Sequence, residues 1–271
     1  MRIRIVDAFT DRPFAGNPAG VLVLDGDRFP DDDWMLRVAA EVNHAETAFV
    51  HRLPEGSDAD WALRWFTPAV EVALCGHATL ATTHVLSRGG YHDGPVRYRT
   101  LSGVLRAAGD DAGLITLDFP TAPLSPVDAD RELVAALGID FRTVLHTGPN
   151  TDDLLFEVAD EKTVRGLDPD LRTVARLTRR GVIVTAAAEN PASGYDFVSR
   201  FFAPAVGVDE DPVTGSAHTA LTPFWAQRLG RGELTGYQAS PRGGLVRVAL
   251  HGDRTHLSGH AVTTIDGSLL P

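Results

Sequence analysis

A few short stretches of this 271-residue chain carry side chains that can move or steady a proton. His77 follows Gly76 in Cys75-Gly76-His77-Ala78, where a helical run of small and aliphatic residues begins. Histidine is the usual acid–base side chain near neutral pH. At a helix start it can equally make a structural hydrogen bond. Ser216 holds the matching place in Thr214-Gly215-Ser216-Ala217, and the acidic Asp209-Glu210-Asp211 lies just ahead of it. Asp211 could serve a site or simply cap the following helix. Glu46, in Asn43-His44-Ala45-Glu46-Thr47, stands between a helix end and a strand, where a carboxylate can also be merely exposed. Cys75 is the single cysteine. A thiol at a helix N-terminus can be reactive, but a free cysteine is more often a small buried hydrophobe, and that is our reading.

The placing of these residues is not independent. Residues 64–72 read Arg-Trp-Phe-Thr-Pro-Ala-Val-Glu-Val, and residues 200–208, half a chain later, read Arg-Phe-Phe-Ala-Pro-Ala-Val-Gly-Val. Six of the nine positions are identical. After a three-residue insertion the match resumes, pairing Cys75-Gly76-His77-Ala78 with Thr214-Gly215-Ser216-Ala217. We read this as an internal duplication. Each half then supplies a strand, a proline-bearing turn and a glycine that opens a helix. Glycine lets backbone approach a ligand, and the first-turn N–H groups of a helix favour a negative charge. Two such ends facing each other across a cleft would bind a carboxylate or oxyanion without metal or lysine.

The elements needed to hold these residues can be read from pattern. Strands are expected at 2–9, 21–24, 48–53, 62–66, 96–100, 114–119, 144–146, 154–158, 182–186, 197–202, 245–250 and 255–264, with 12–20 as a turn. Helices are expected at 31–42, 76–88, 128–137, 169–178 and 216–229. Many strands, few helices and no regular alternation favour an α+β fold. Pro120 to Asp128, with three prolines, reads as a linker.

Composition excludes several classes. The formal charge of −11 argues against a nucleic-acid surface. No apolar run approaches the ~20 residues of a membrane span. One cysteine cannot form an internal disulfide, so a cytoplasmic enzyme is expected. The histidines lack tight metal spacing, and no dinucleotide or phosphate-loop motif occurs, so neither metal nor cofactor is expected.

Four ordered motifs, Asp7–Val21, Asn43–Val50, Arg64–Thr79 and Asp209–His218, together with the tail Gly259–Leu270, resemble the phenazine-biosynthesis PhzF-like isomerase family, of diaminopimelate epimerase-like fold. The resemblance implies two pseudo-symmetric domains, each a barrel-like β-sheet around a central helix: 1–119 plus 259–271, and 128–258. It implies a homodimer without cofactor that acts on a small carboxylate. By motif, Glu46 is the proton shuttle, with His77, Asp211 and Ser216 assisting; Gly76, Gly215 and Thr214 fall to substrate binding. Two departures narrow the expectation. Ala45 replaces a serine of the phenazine enzyme, and Cys75 lacks the second thiol that the fold's epimerases use. The rivals are an epimerase or racemase of an amino-acid-like substrate and a non-catalytic ligand-binding protein.

Overall fold

Gly-Asn-Pro-Ala-Gly, expected as a turn, starts a strand instead. In the computed structural model, which describes residues 1–270, the turn ends at Gly16; Asn17 already pairs with Ala8 on one side, and pairing on the other side begins at Ala19. Gly16 has φ +64°, and a Cβ there would come 2.1 Å from the Ala8 carbonyl oxygen. Only glycine fits such a position. Pro18 is tolerated because it lies at the start of the strand.

The chain divides into two compact units, residues 1–119 with 258–271, and residues 120–257. The first contains β1 (Arg2–Ala8), β2 (Asn17–Leu24), α1 (Asp32–Val42), β3 (Glu46–Arg52), β4 (Trp61–Phe66), β5 (Glu71–Val72), α2 (Gly76–Arg88), β6 (Val96–Thr100), β7 (Gly103–Gly109) and β8 (Ile115–Pro120). The strand Ala261–Ser268 pairs antiparallel with β1. From β1 the neighbours run β2, β3, β4, β6, β7, joined antiparallel, parallel, antiparallel, parallel and antiparallel.

The second unit contains β9 (Ser125–Pro126), α3 (Arg131–Leu137), β10 (Phe141–His146), β11 (Asp153–Val158), α4 (Glu161–Arg165), α5 (Leu171–Leu177), β12 (Gly181–Ala187), β13 (Phe197–Phe202), α6 (Gly215–Leu229), β14 (Glu233–Gln238) and β15 (Gly244–His251); β16 (Arg254–Gly259) and β17 (Ala261–Ser268) complete the chain. From β10 through β11, β12, β13, β14 and β15 the same five-step series of directions repeats. The expected strand 255–264 is broken at His260.

One helix in each unit is buried nearly all round. Along α2, residues 77–83 are buried, and the helix touches β1, β2, β3, β7 and β17. Side chains there must be small and apolar or satisfy their own polarity. Thr79, Thr82 and Thr83 do so by donating to carbonyls one turn back, at 2.6–2.9 Å. In α6, Trp225 Nε1 donates to Thr185 Oγ1 at 3.0 Å and the indole stacks on Phe197. Pro223 lies inside α6 and cannot donate to the Thr219 carbonyl. That carbonyl takes the Ala122 amide instead, at 3.2 Å.

The surface helices α1, α3, α4 and α5 are each capped by an aspartate side chain: Asp31, Asp130, Asp160 and Asp170. The N-caps of α2 and α6, Cys75 and Thr214, make no such bond.

Candidate active site

In the first unit Glu46, Cys75 and His77 come together. Glu46 opens β3, just after α1 ends at Asn43 in a left-handed conformation, and its side chain is 17% exposed. His77 is the second residue of α2 and is buried. Its Nδ1 receives the Asn17 side-chain amide at 3.2 Å, with Cys75 Sγ at 3.6 Å. Burial, with a smaller push from His44, lowers the His77 imidazolium to about 3, so the ring is neutral at physiological pH. With Nδ1 accepting from Asn17, the proton rests on Nε2, which lies 3.3 Å from Glu46 Oε2. A neutral imidazole at this distance sets no second charge beside the carboxylate. Such a pair is suited to taking a proton from carbon and returning it.

The second unit gathers Asp211, Thr214, Gly215 and Ser216 around the start of α6. Thr214 Oγ1 donates to Asp211 Oδ2 at 2.5 Å. Gln238, wholly buried on β14, accepts the Thr214 amide at 2.8 Å and donates to the Asp211 carbonyl at 2.7 Å. One amide thus fixes both residues. His218, kept neutral because burial lowers it to about 4, donates from Nδ1 to the Thr214 carbonyl at 2.8 Å. Ser216 Oγ accepts from Arg180 Nη2 at 2.7 Å. Arg180 Nη1 donates to the Asp153 carboxylate and, at 3.0 Å, to the Thr151 carbonyl. Asp153 is wholly buried, and burial pushes it up to about 6 against the pull of Arg180.

Strand register turns the duplication into residue equivalences. Thr47 opposes Phe66 as Val182 opposes Phe202, so Glu46 matches Gly181 and Ala45 matches Arg180. Ala19 opposes Glu46 as Asp153 opposes Gly181. One half therefore carries a carboxylate where the other carries a guanidinium one residue earlier. Arg64 grips Glu71 through two bonds of 2.7 and 2.6 Å, and Arg200 grips Glu210 through two of 2.7 Å. Glu71 thus corresponds to Glu210, which places the three-residue insertion before the glutamate, earlier than expected from the ungapped match.

Asn17, Asp153, Arg180 and Gln238 escape a reading by motif. Asn17 did lie in a conspicuous Gly-Asn-Pro run. Asp153 and Arg180 meet only because β11 and β12 are parallel neighbours, a pairing no local pattern records. The ligand atoms of Glu46, Cys75 and His77 lie within 4.8 Å of one another, close enough for a metal ion. Histidine spacing alone could not show this, since Glu46 comes from another element. The two ring nitrogens of His77 face different partners, so an ion there would meet one of them only.

A family profile described as phenazine biosynthesis-like protein matches residues 6–267. The chain belongs to this family. An uncharacterised isomerase of Pseudomonas aeruginosa is 49% identical over 267 residues, covering 97% of this chain and 96% of its own. A PhzF-family crystal structure from Enterococcus faecalis is 38% identical, covers 99% of both chains and superposes with a TM-score of 0.89. A hydroxyproline epimerase of Agrobacterium vitis, 15% identical and covering 98% of this chain and 91% of its own, shares the fold with a TM-score of 0.60. This phenazine biosynthesis-like protein is an isomerase of α+β, diaminopimelate epimerase-like fold. No helix among its described residues is long and apolar enough to cross a membrane.

Proposed function

We propose that this isomerase moves a proton between positions of a small carboxylate substrate, with Glu46 as the shuttle. The contact between Glu46 and the neutral His77 carries the proposal. The Glu46 carboxylate takes a proton from a carbon of the substrate, the electron pair left behind delocalises toward the carboxyl-bearing end, and the same proton returns at another carbon. Nothing is oxidised and nothing leaves. In each half, the first-turn amides of a helix that lacks a side-chain cap, at Gly76 and at Gly215, offer a place for a substrate carboxylate. Preorganised donors of this kind stabilise the charge as it develops. Asp211, Thr214 and Ser216 complete the binding set.

A single-carbon epimerase is the second reading. The structure shared with the hydroxyproline epimerase, which was solved with trans-4-hydroxy-L-proline bound, makes an amino-acid-like carboxylate reasonable. Cys75 and Thr214 occupy the same N-cap position, so a symmetric pair of thiols is not available to such an enzyme here.

Glu46→Gln tests the shuttle. Turnover should fall by about 10²–10⁴-fold, while carboxylate binding, read by thermal shift, stays near that of the parent. Full activity in the variant would remove Glu46 from the chemistry. Proton NMR in D₂O separates the two readings: a moved double bond supports isomerisation, inversion alone supports epimerisation.

A further inference from the structure

The hydroxyl of Ser216 is held in an unusual way. Each threonine of α2 and α6 described above or bonded within its helix gives its proton to a backbone carbonyl, as Thr219 and Thr222 do at 2.7 and 2.6 Å. Ser216 does not. Its Oγ has one partner among the described residues, the Arg180 guanidinium, and toward that partner it can only accept. Arginine has no acceptor, so the serine proton cannot be spent there. Arg180 is in turn clamped by the buried Asp153 carboxylate and the Thr151 carbonyl. A guanidinium tied at Nη1 cannot swing away from Ser216 without leaving Asp153 buried and unpaired, which is costly.

We infer that Asp153 and Arg180 are positioning residues that make Ser216 an obligate hydrogen-bond donor to the substrate's carboxylate. The inference rests on the proposed carboxylate-binding role of Ser216 and adds two residues that no motif contains. The guanidinium draws electron density from Oγ, which sharpens the remaining O–H as a donor, since hydrogen bonds in a chain polarise one another. Register supports a specialised role. Arg180 and Gly181 stand where the other half has Ala45 and Glu46, so the duplicated frame supplies the proton acceptor in one copy and the anion-facing donor in the other.

The test is a double-mutant cycle read by calorimetric binding of 3-hydroxyanthranilate and of trans-4-hydroxy-L-proline in the Glu46→Gln background, where no turnover disturbs equilibrium. Ser216→Ala and Arg180→Gln should each weaken binding about tenfold, and together still about tenfold, because Arg180 acts through Ser216. Arg180→Lys should recover part of the loss. Asp153→Asn combined with Arg180→Gln removes both charges and guards against misfolding caused by an unpaired carboxylate; it should bind like Arg180→Gln alone. In the otherwise native enzyme Arg180→Gln should raise KM with kcat little changed. Losses that multiply to about a hundredfold would mean that Arg180 touches the ligand itself and would overturn the relay, as would unaltered binding in Arg180→Gln. If neither probe binds the parent while binding is also absent for other small carboxylates, the underlying carboxylate reading fails and the relay falls with it.

Discussion

At the residue scale the site depends on which groups stay neutral. His77 and His218 are lowered to about 3 and about 4, chiefly by burial. Between those values and the ordinary histidine range near 6.5, the folded chain binds fewer protons than the unfolded one. Stability therefore falls as pH drops from about 6.5 through 4. Asp153 acts in the opposite sense. Raised to about 6, it holds a proton in the folded state that the unfolded chain releases, so its penalty fades on acidification. Denaturant titrations between pH 7 and 4 should show a shallower slope of stability against pH in His218→Asn and a steeper one in Asp153→Asn. Equal slopes in all three proteins would mean that these groups titrate normally. None of this is visible in composition. His77 and Glu46 stand out in sequence because they fall in matched or familiar motifs. Asn17, which sets the His77 tautomer, is a strand residue that looks like a turn residue until its two neighbouring strands are known.

The elements tell a similar story with clearer reasons. The surface helix α1 announces itself through its aspartate cap and apolar stripe, and the buried α2 through the run of small and aliphatic residues between Gly76 and Gly89, so both are legible almost to the residue. Short elements with little periodicity, such as α4, β7 and β14, are not. The repeat is legible because Arg64 and Arg200 each lie across a phenylalanine, Phe66 or Phe202, and end in a paired glutamate, an arrangement that constrains sequence on both sides of a turn. The two copies differ in one respect that predicts unequal mutations. Arg64 also bonds Asp32 at 2.8 Å, whereas Arg200 has a backbone carbonyl, that of Leu167, as its second partner. Glu71→Gln leaves Arg64 with a carboxylate; Glu210→Gln leaves a mostly buried guanidinium with none. Urea unfolding should show a loss of about 1–3 kcal/mol for Glu210→Gln and a smaller one for Glu71→Gln. The reverse order would show that the Asp32 contact contributes nothing.

For the molecule as a whole, duplication is the main organising fact. The five-step order of strand directions recurs in both units, each with a buried helix after its fourth long strand, counted from β1 in one and β10 in the other. Half-chain sequence matching exposes the two copies, yet it cannot show how far they have diverged in role, because Ala45-Glu46 and Arg180-Gly181 align only through register. The proline-bearing stretch 120–128 shows the same limit. Its composition suggests a loose connector, but Thr121 gives its amide to the Asp253 carbonyl, Ala122 gives its own to Thr219, and Ser125–Pro126 pairs with β10.

The carbonyl that Pro223 releases inside α6 therefore works as a mooring point for the chain. Proteolytic enzymes need several residues of slack backbone to thread their clefts, and a strand lashed down at successive amides offers none. Brief thermolysin treatment of the native enzyme should accordingly spare residues 120–128, while Pro223→Ala, by reclaiming the Thr219 oxygen for the helix, should open the first cut there. Early scission of the parent within that stretch would show that the mooring does not hold in solution.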